Sequence, residues 1–142
     1  MKKQITAVFG LPVNEEKQFL LTQRNEPKDP RTHHKWQIAG GGVEFGEQPE
    51  ETLIRELQEE IEVTPTLLYP YPLVKTAIHN YPTRQFHITL ICYLVTIGDQ
   101  IPTVENEETA DARWFTLPEV QTLDTLDQVK EFVTDWQQLL KT

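Results

Sequence analysis

Eight glutamates crowd between Val43 and Glu62, and they are the residues of this 142-residue chain best able to do chemistry. On a helix advancing about 100° per residue, with Glu56 at 0°, Glu59 lies near about −60° and Glu60 near about +40°. Three carboxylates then share one arc, while Leu57 and Ile61 lie to one side of it, facing a core. Like charges at three- and four-residue spacing cost roughly a few tenths of a kcal/mol per pair. A hard cation reverses that sign, because Mg²⁺ gathers oxygen ligands and completes its shell with water and substrate phosphates. That is the chemistry of phosphate esters and anhydrides. The competing reading is a solvated acidic helix face, and the flanking residues argue against it. Gly40-Gly41-Gly42 lets a strand turn sharply without Cβ obstruction and brings the chain back through Glu44 and Glu47. Arg55 is spaced to hydrogen-bond Glu47 or a helix carboxylate and hold its rotamer.

The spacing Gly41-x5-Glu47-x7-Arg55-Glu56-Leu57-x-Glu59-Glu60-x-Glu62-Val63 resembles the box of the Nudix hydrolases, G-x5-E-x7-R-E-U-x-E-E-x-G-U, with U a bulky aliphatic. Eight of the nine fixed positions match. The approach Trp36-Gln-Ile-Ala-Gly-Gly-Gly-Val-Glu-Phe-Gly-Glu resembles the strand and loop that lead into that box, and Glu108 before Trp114-Phe115 resembles a loop glutamate of many members. Two positions depart from the pattern. Glu62 stands where the family has a helix-ending glycine, commonly left-handed, at a cost of about 1–2 kcal/mol. Ala39 stands where a proline is common.

The resemblance implies hydrolysis of a nucleoside diphosphate linked to another moiety, with Mg²⁺ or Mn²⁺. It assigns Glu56, Glu59 and Glu60 as metal ligands, the Gly41 backbone and Glu47 as further metal-side groups, and Arg55 as the orienting residue. A diphosphate repels hydroxide, so its charge must be neutralised and a carboxylate must take the proton of the attacking water. Glu59, Glu60 and the loop residue Glu108 are the candidates, with Glu105 and Glu107 as rivals for the loop role. Arg24, His34, Lys35 and Tyr81 are the candidate substrate contacts. Their alternatives are a surface ion pair, an exposed loop histidine and a core aromatic. The first substrate class is a (d)NTP or an oxidised (d)NTP. ADP-ribose and dinucleoside polyphosphates are rivals, and a catalytically silent nucleotide-binding domain is the alternative from another class.

The elements that must position these groups are legible in outline. Ile5–Val13 reads as a strand with Gln18–Gln23 as its hairpin partner, and Asn25–Lys35 as a loop. Trp36–Ala39 reads as a short strand. A helix follows Gly46, with Pro49 in its first turn and an apolar stripe of Leu53, Ile54, Leu57 and Ile61. Val63–Thr76 is extended but broken by three prolines, and Arg84–Ile97 is the strongest strand signal. An acidic loop spans 98–110, Ala112–Thr116 is a short strand, and helical periodicity runs from Leu117, strongest over Leu126–Leu140. The implied fold is α/β, a Nudix-type α/β/α sandwich with a central mixed β-sheet, as one domain over residues 1–142.

Composition narrows the function classes. The net charge is −9: residues 1–42 carry +3, residues 43–62 carry −7 and residues 63–142 carry −5. An acidic chain has no general field for duplex DNA, so a nucleic-acid polymer is not the expected partner. No apolar run approaches the ~20 residues of a membrane span, and no signal-peptide pattern is visible. The single Cys92 suits a reducing cytoplasm. A homodimer through the Pro- and Tyr-rich edge Leu67–Leu73 is one option for assembly.

Overall fold

The computed structural model describes residues 1–141. In chain order its elements are β1 (Lys2–Pro12), β2 (Phe19–Arg24), β3 (Trp36–Gln37), β4 (Ala39–Gly42), α1 (Pro49–Ile61), β5 (Thr66–Leu67), β6 (Leu73–Asn80), β7 (Gln85–Thr96), β8 (Thr109–Phe115), α2 (Leu117–Gln121) and α3 (Val129–Leu140). They form a mixed α/β fold. One sheet runs β4-β1-β7-β5, with β6 also pairing β7, and a second runs β3-β2-β8. The β1–β7 pair is parallel, while every other ladder is antiparallel.

Both faces of the sheet layer are buried, which explains why its central strands are apolar on alternating and intervening positions alike. Leu11, Phe19, Leu21, Cys92 and Leu94 pack with Phe132, Val133 and Trp136 of α3. Their neighbours Val8, Leu20, Tyr93 and Val95 point the other way, against Leu53, Leu57 and Ile61 of α1. The helices therefore sandwich the sheets. Each fully buried leucine of α1 contributes roughly 2–3 kcal/mol of burial. Close helix approach depends on Gly10, where a Cβ would lie 2.5 Å from Leu53 Cδ1. Cys92 is buried here as an inert thiol, its pKa pushed up to about 12 by burial.

Three expectations are corrected. β1 and β2 are not hairpin partners: they share the 14–17 turn and one bridge, Val13 to Phe19, and then enter different sheets. The cause is hydrogen-bond saturation, since β4 and β7 occupy both edges of β1. Trp36–Ala39 is likewise two strands. Trp36 and Gln37 pair with β2 and Ala39–Gly42 with β1, so the chain changes sheets at Ile38. At the C-terminal end the helical stretch is divided into α2 and α3, and α3 starts at Val129, with Leu126 ahead of it.

α1 starts well and ends under strain. Pro49 occupies its first turn, Glu50 and Glu51 face the positive end of the helix dipole, and the Gln48 backbone N–H donates to Glu51 Oε1 at 2.8 Å. At the other end Glu62 takes φ 56°, ψ 42° and donates its N–H to the Gln58 carbonyl. A left-handed glutamate is disfavoured by its Cβ. Glu62→Gly should therefore stabilise the protein by about 1 kcal/mol, the relief of that strain exceeding the added freedom of the unfolded chain. Urea denaturation should show a higher midpoint with an unchanged m-value; an unchanged or lower midpoint would refute the strain.

Candidate metal and phosphate site

Arg55 organises the acidic cluster. Its Nε donates to Glu47 Oε2 at 2.7 Å and its Nη2 to Glu47 Oε1 at 2.9 Å, a two-point clamp. Nη1 donates to Glu56 Oε1 at 2.9 Å and Glu59 Oε2 at 3.4 Å, and Nη2 also reaches the Gly42 carbonyl at 3.1 Å. Glu44 lies 3.6 Å from Nη1. The guanidinium holds the Glu47 carboxyl at a pKa of about 2, with help from the Glu44 N–H and the Thr52 hydroxyl. Glu47 in turn raises the pKa of Arg55.

The helix carboxylates behave differently. Burial pushes Glu60 up to about 8, and the negative charges of Glu56 and Glu108 add to the shift. The Gly40 N–H, donating to Glu60 Oε2 at 2.9 Å, opposes it, as does the positive charge of Arg24. Burial also raises Glu56, against the pull of Arg55. Glu59 is mostly exposed. Glycine at residue 41 leaves room for the Glu56 carboxylate in its present place, since a Cβ there would lie 2.5 Å from Glu56 Oε1 and the carboxylate would have to move.

The acidic loop is fastened to the site by a residue that sequence reasoning passed over. Asn106 donates from Nδ2 to the Glu60 carbonyl at 2.9 Å and accepts from the Glu108 N–H at 3.1 Å. Its signal was faint: one amide among acids, between Glu105 and Glu107. The result is that the Glu108 charge is felt at both Glu56 and Glu60. Glu107 gives its carbonyl to Asn25 Nδ2 instead.

The candidate substrate residues divide. Arg24 donates from Nη1 to Gln37 Oε1 at 3.1 Å and from Nε to Glu26 at 3.2 Å, and its charge reaches Glu60, so it borders the carboxylates. His34 is exposed, adopts φ 65° and stacks on His33 at 3.7 Å. Lys35 lies 3.7 Å from Asp124, in the segment before α3. Tyr81 sits in the β6–β7 turn under the Arg31 guanidinium, 4.4 Å from its ring centre. Thus Lys35 and Tyr81 engage groups far along the chain from the acidic helix, and only Arg24 is tied to it electrostatically.

Among the described residues no three His, Cys, Asp or Glu side chains stand ready as a closed ion cage. The donor set nonetheless suits a hard divalent cation: Glu56, Glu59 and Glu60 are oxygen ligands on one helix arc, beside a glycine gap that a Cβ would fill. Glu60 in particular is a half-buried carboxyl whose charged form a cation would favour.

The chain belongs to the NUDIX domain family, whose model matches residues 3–137. Among curated relatives, the 8-oxo-dGTP diphosphatase of Escherichia coli (strain K12) is 34% identical over 93 residues, covering 66% of this chain and 67% of its own. The 8-oxo-dGTP diphosphatase of Proteus vulgaris is 36% identical over 95 residues, covering 67% and 79%. The fold matches the crystal structure of a MutT NUDIX hydrolase from Burkholderia pseudomallei at TM-score 0.77 and 20% identity, over 93% of this chain and 97% of that one.

Two outcomes follow from the geometry. Gly41→Ala should displace the flexible Glu56 carboxylate rather than the backbone. Mg²⁺ binding by calorimetry should then weaken at least about tenfold with an unchanged unfolding midpoint; wild-type affinity would show that the gap is irrelevant. Second, with Glu60 raised to about 8, Mg²⁺ held by that carboxyl would have to displace its proton at neutral pH. Affinity should rise from pH 6 to 8 and level off above, with proton release detectable from buffers of different ionisation heat. A flat profile would contradict the assignment.

Proposed function

We propose that the chain is a divalent-metal-dependent pyrophosphohydrolase of nucleoside triphosphates, with an oxidised dGTP as its first substrate. The observation that carries the reading is the Arg55-held carboxylate group against the Gly41 gap, on a chain of the NUDIX family. The names of the bacterial relatives support the oxidised dGTP.

Glu56, Glu59, Glu60 and the Gly41 backbone would hold Mg²⁺ or Mn²⁺. When bound, such an ion neutralises the diphosphate and lowers the pKa of an attacking water. Glu47 serves Arg55 in this reading: with both oxygens on the guanidinium, it positions the arginine, and the arginine orients Glu56 and Glu59. Water attacks phosphorus, its proton passes to a carboxylate, and the phosphoanhydride bond breaks to give a nucleoside monophosphate and pyrophosphate. Glu59 is a candidate base on grounds of exposure, and Glu108 is the loop alternative, brought into electrostatic range by Asn106. Arg24, beside Glu60, would meet the substrate's phosphates or base edge. We place the reaction in the cytoplasm, which suits the reduced, buried Cys92. Among the described residues no helix is long and apolar enough to cross a membrane.

The test is hydrolysis of dGTP, 8-oxo-dGTP, ADP-ribose and dinucleoside polyphosphates, read by chromatography of the nucleotide products, with Mg²⁺ and with EDTA. Metal-dependent turnover of 8-oxo-dGTP is expected, with kcat falling at least about 10³-fold in Glu59→Gln while circular dichroism and unfolding midpoint stay unchanged. Full activity in that variant would overturn the site. No turnover of any of these compounds in a folded, Mg²⁺-binding sample would favour the silent nucleotide binder.

A further inference from the structure

The strand β6 is an open edge of the larger sheet. It pairs with β7 on one side and, among the described residues, with no strand on the other. Its side chains alternate regularly, half-buried Leu73, Lys75, Ala77 and His79 against exposed Val74, Thr76, Ile78 and Asn80. Val74 is 57% and Ile78 59% exposed. In an antiparallel ladder every second residue turns both backbone groups to the same neighbour. The Thr76 carbonyl accepts from Gln128 Nε2 at 3.2 Å, outside the sheet. Thr76 therefore faces outward, and Val74 and Ile78, two residues either side, face outward with it. That row carries neither proline nor lysine, and the one lysine of the strand, Lys75, turns inward to Asp135 at 2.8 Å.

A groove of about 750 Å³ runs beside this edge, between Thr76–Ile78 and the segment before and into α3. That second wall is acidic, with Asp124, Asp127 and Glu131. Asp124 has Lys35 at 3.7 Å, but Asp127 and Glu131 have no ion-pair partner among the described residues. Lys130, the one cation lining the groove, directs its ammonium to the Gln121 carbonyl at 3.2 Å. None of the helix carboxylates of the hydrolytic site lines the groove.

We propose that β6 is a docking edge for an extended peptide of a partner protein, added as a further strand, with basic residues on alternate positions. The backbone groups of Val74, Thr76 and Ile78 supply the ladder, and the Gln128 amide holds the place of one incoming N–H. Asp127 and Glu131 select lysine or arginine on the face toward α3, and Val74 and Ile78 favour β-branched residues on the other. A second copy of this chain is the weaker occupant. A two-fold axis through paired β6 strands would bring the two acidic segments to the same side of the joined sheet.

The probe is a fluorescein-labelled peptide of about ten residues alternating Val and Lys, followed by anisotropy with the full chain. Saturable binding is expected, weakened at least about tenfold by Ile78→Lys and by the pair Asp127→Asn with Glu131→Gln. The pair Glu15→Gln with Glu16→Gln, an equal charge change in the exposed β1–β2 turn, should bind as wild type. Backbone N-methylation of the peptide on the edge-facing residues should abolish binding. Equal binding by the N-methylated peptide, or equal weakening by both charge-neutralised pairs, would reduce the effect to bulk charge and overturn the proposal. A concentration-dependent dimer that Ile78→Lys dissolves, with no peptide binding, would overturn it in favour of the second copy.

Discussion

One guanidinium determines the geometry of the acidic site. Eight negative charges within twenty residues would otherwise spread their side chains into solvent. Arg55 answers five groups at once: the two oxygens of Glu47, then Glu56, Glu59, Glu44 and the Gly42 carbonyl. A planar, always-charged fork can do this, whereas an ammonium would meet the same groups as a single point. Because Glu47 lies in the loop and Glu56 on the helix, the same contacts that orient the helix carboxylates also fasten the loop to α1.

Around that clamp the site is graded in charge. Glu47 is held ionised by its hydrogen bonds, while Glu60 is held largely protonated at neutral pH by burial. The two carboxyls thus differ by environment alone, one fixed by an arginine and the other raised by desolvation. Asn106 carries the second half of the arrangement, binding the Glu60 carbonyl and the Glu108 N–H, so that a loop acid is added to those of the helix. The fold supplies the rigidity beneath, since Leu53, Leu57 and Ile61 lock the opposite face of α1 against the sheet.

The helix, its carboxylate arc and most of its apolar stripe were legible because a 3.6-residue period is a local property. Ile54, read as part of that stripe, is 49% exposed, and the left-handed stop at Glu62 is a finding of the structure. Strand positions were mostly legible as well, but strand pairing was not. Nothing in Ile5–Val13 or Gln18–Gln23 reveals that β4 and β7 take both edges of the first. The change of sheet at Ile38 is equally silent in sequence, since Trp36–Ala39 reads as one extended run.

What the sequence by itself determined was the donor set and its register along one helix: which oxygens exist, which share a face, and which arginine stands beside them. Only the tertiary structure decided which groups from elsewhere join them. Glu108 is drawn in through Asn106, Arg24 through the end of β2, and Glu60 is raised by burial against the pull of the Gly40 N–H. Lys35 and Tyr81 are taken by Asp124 and Arg31. The reason is one of range. Helical phase is set by neighbours within a turn, but desolvation and ion pairing depend on segments separated by tens of residues, which meet only when the core has packed.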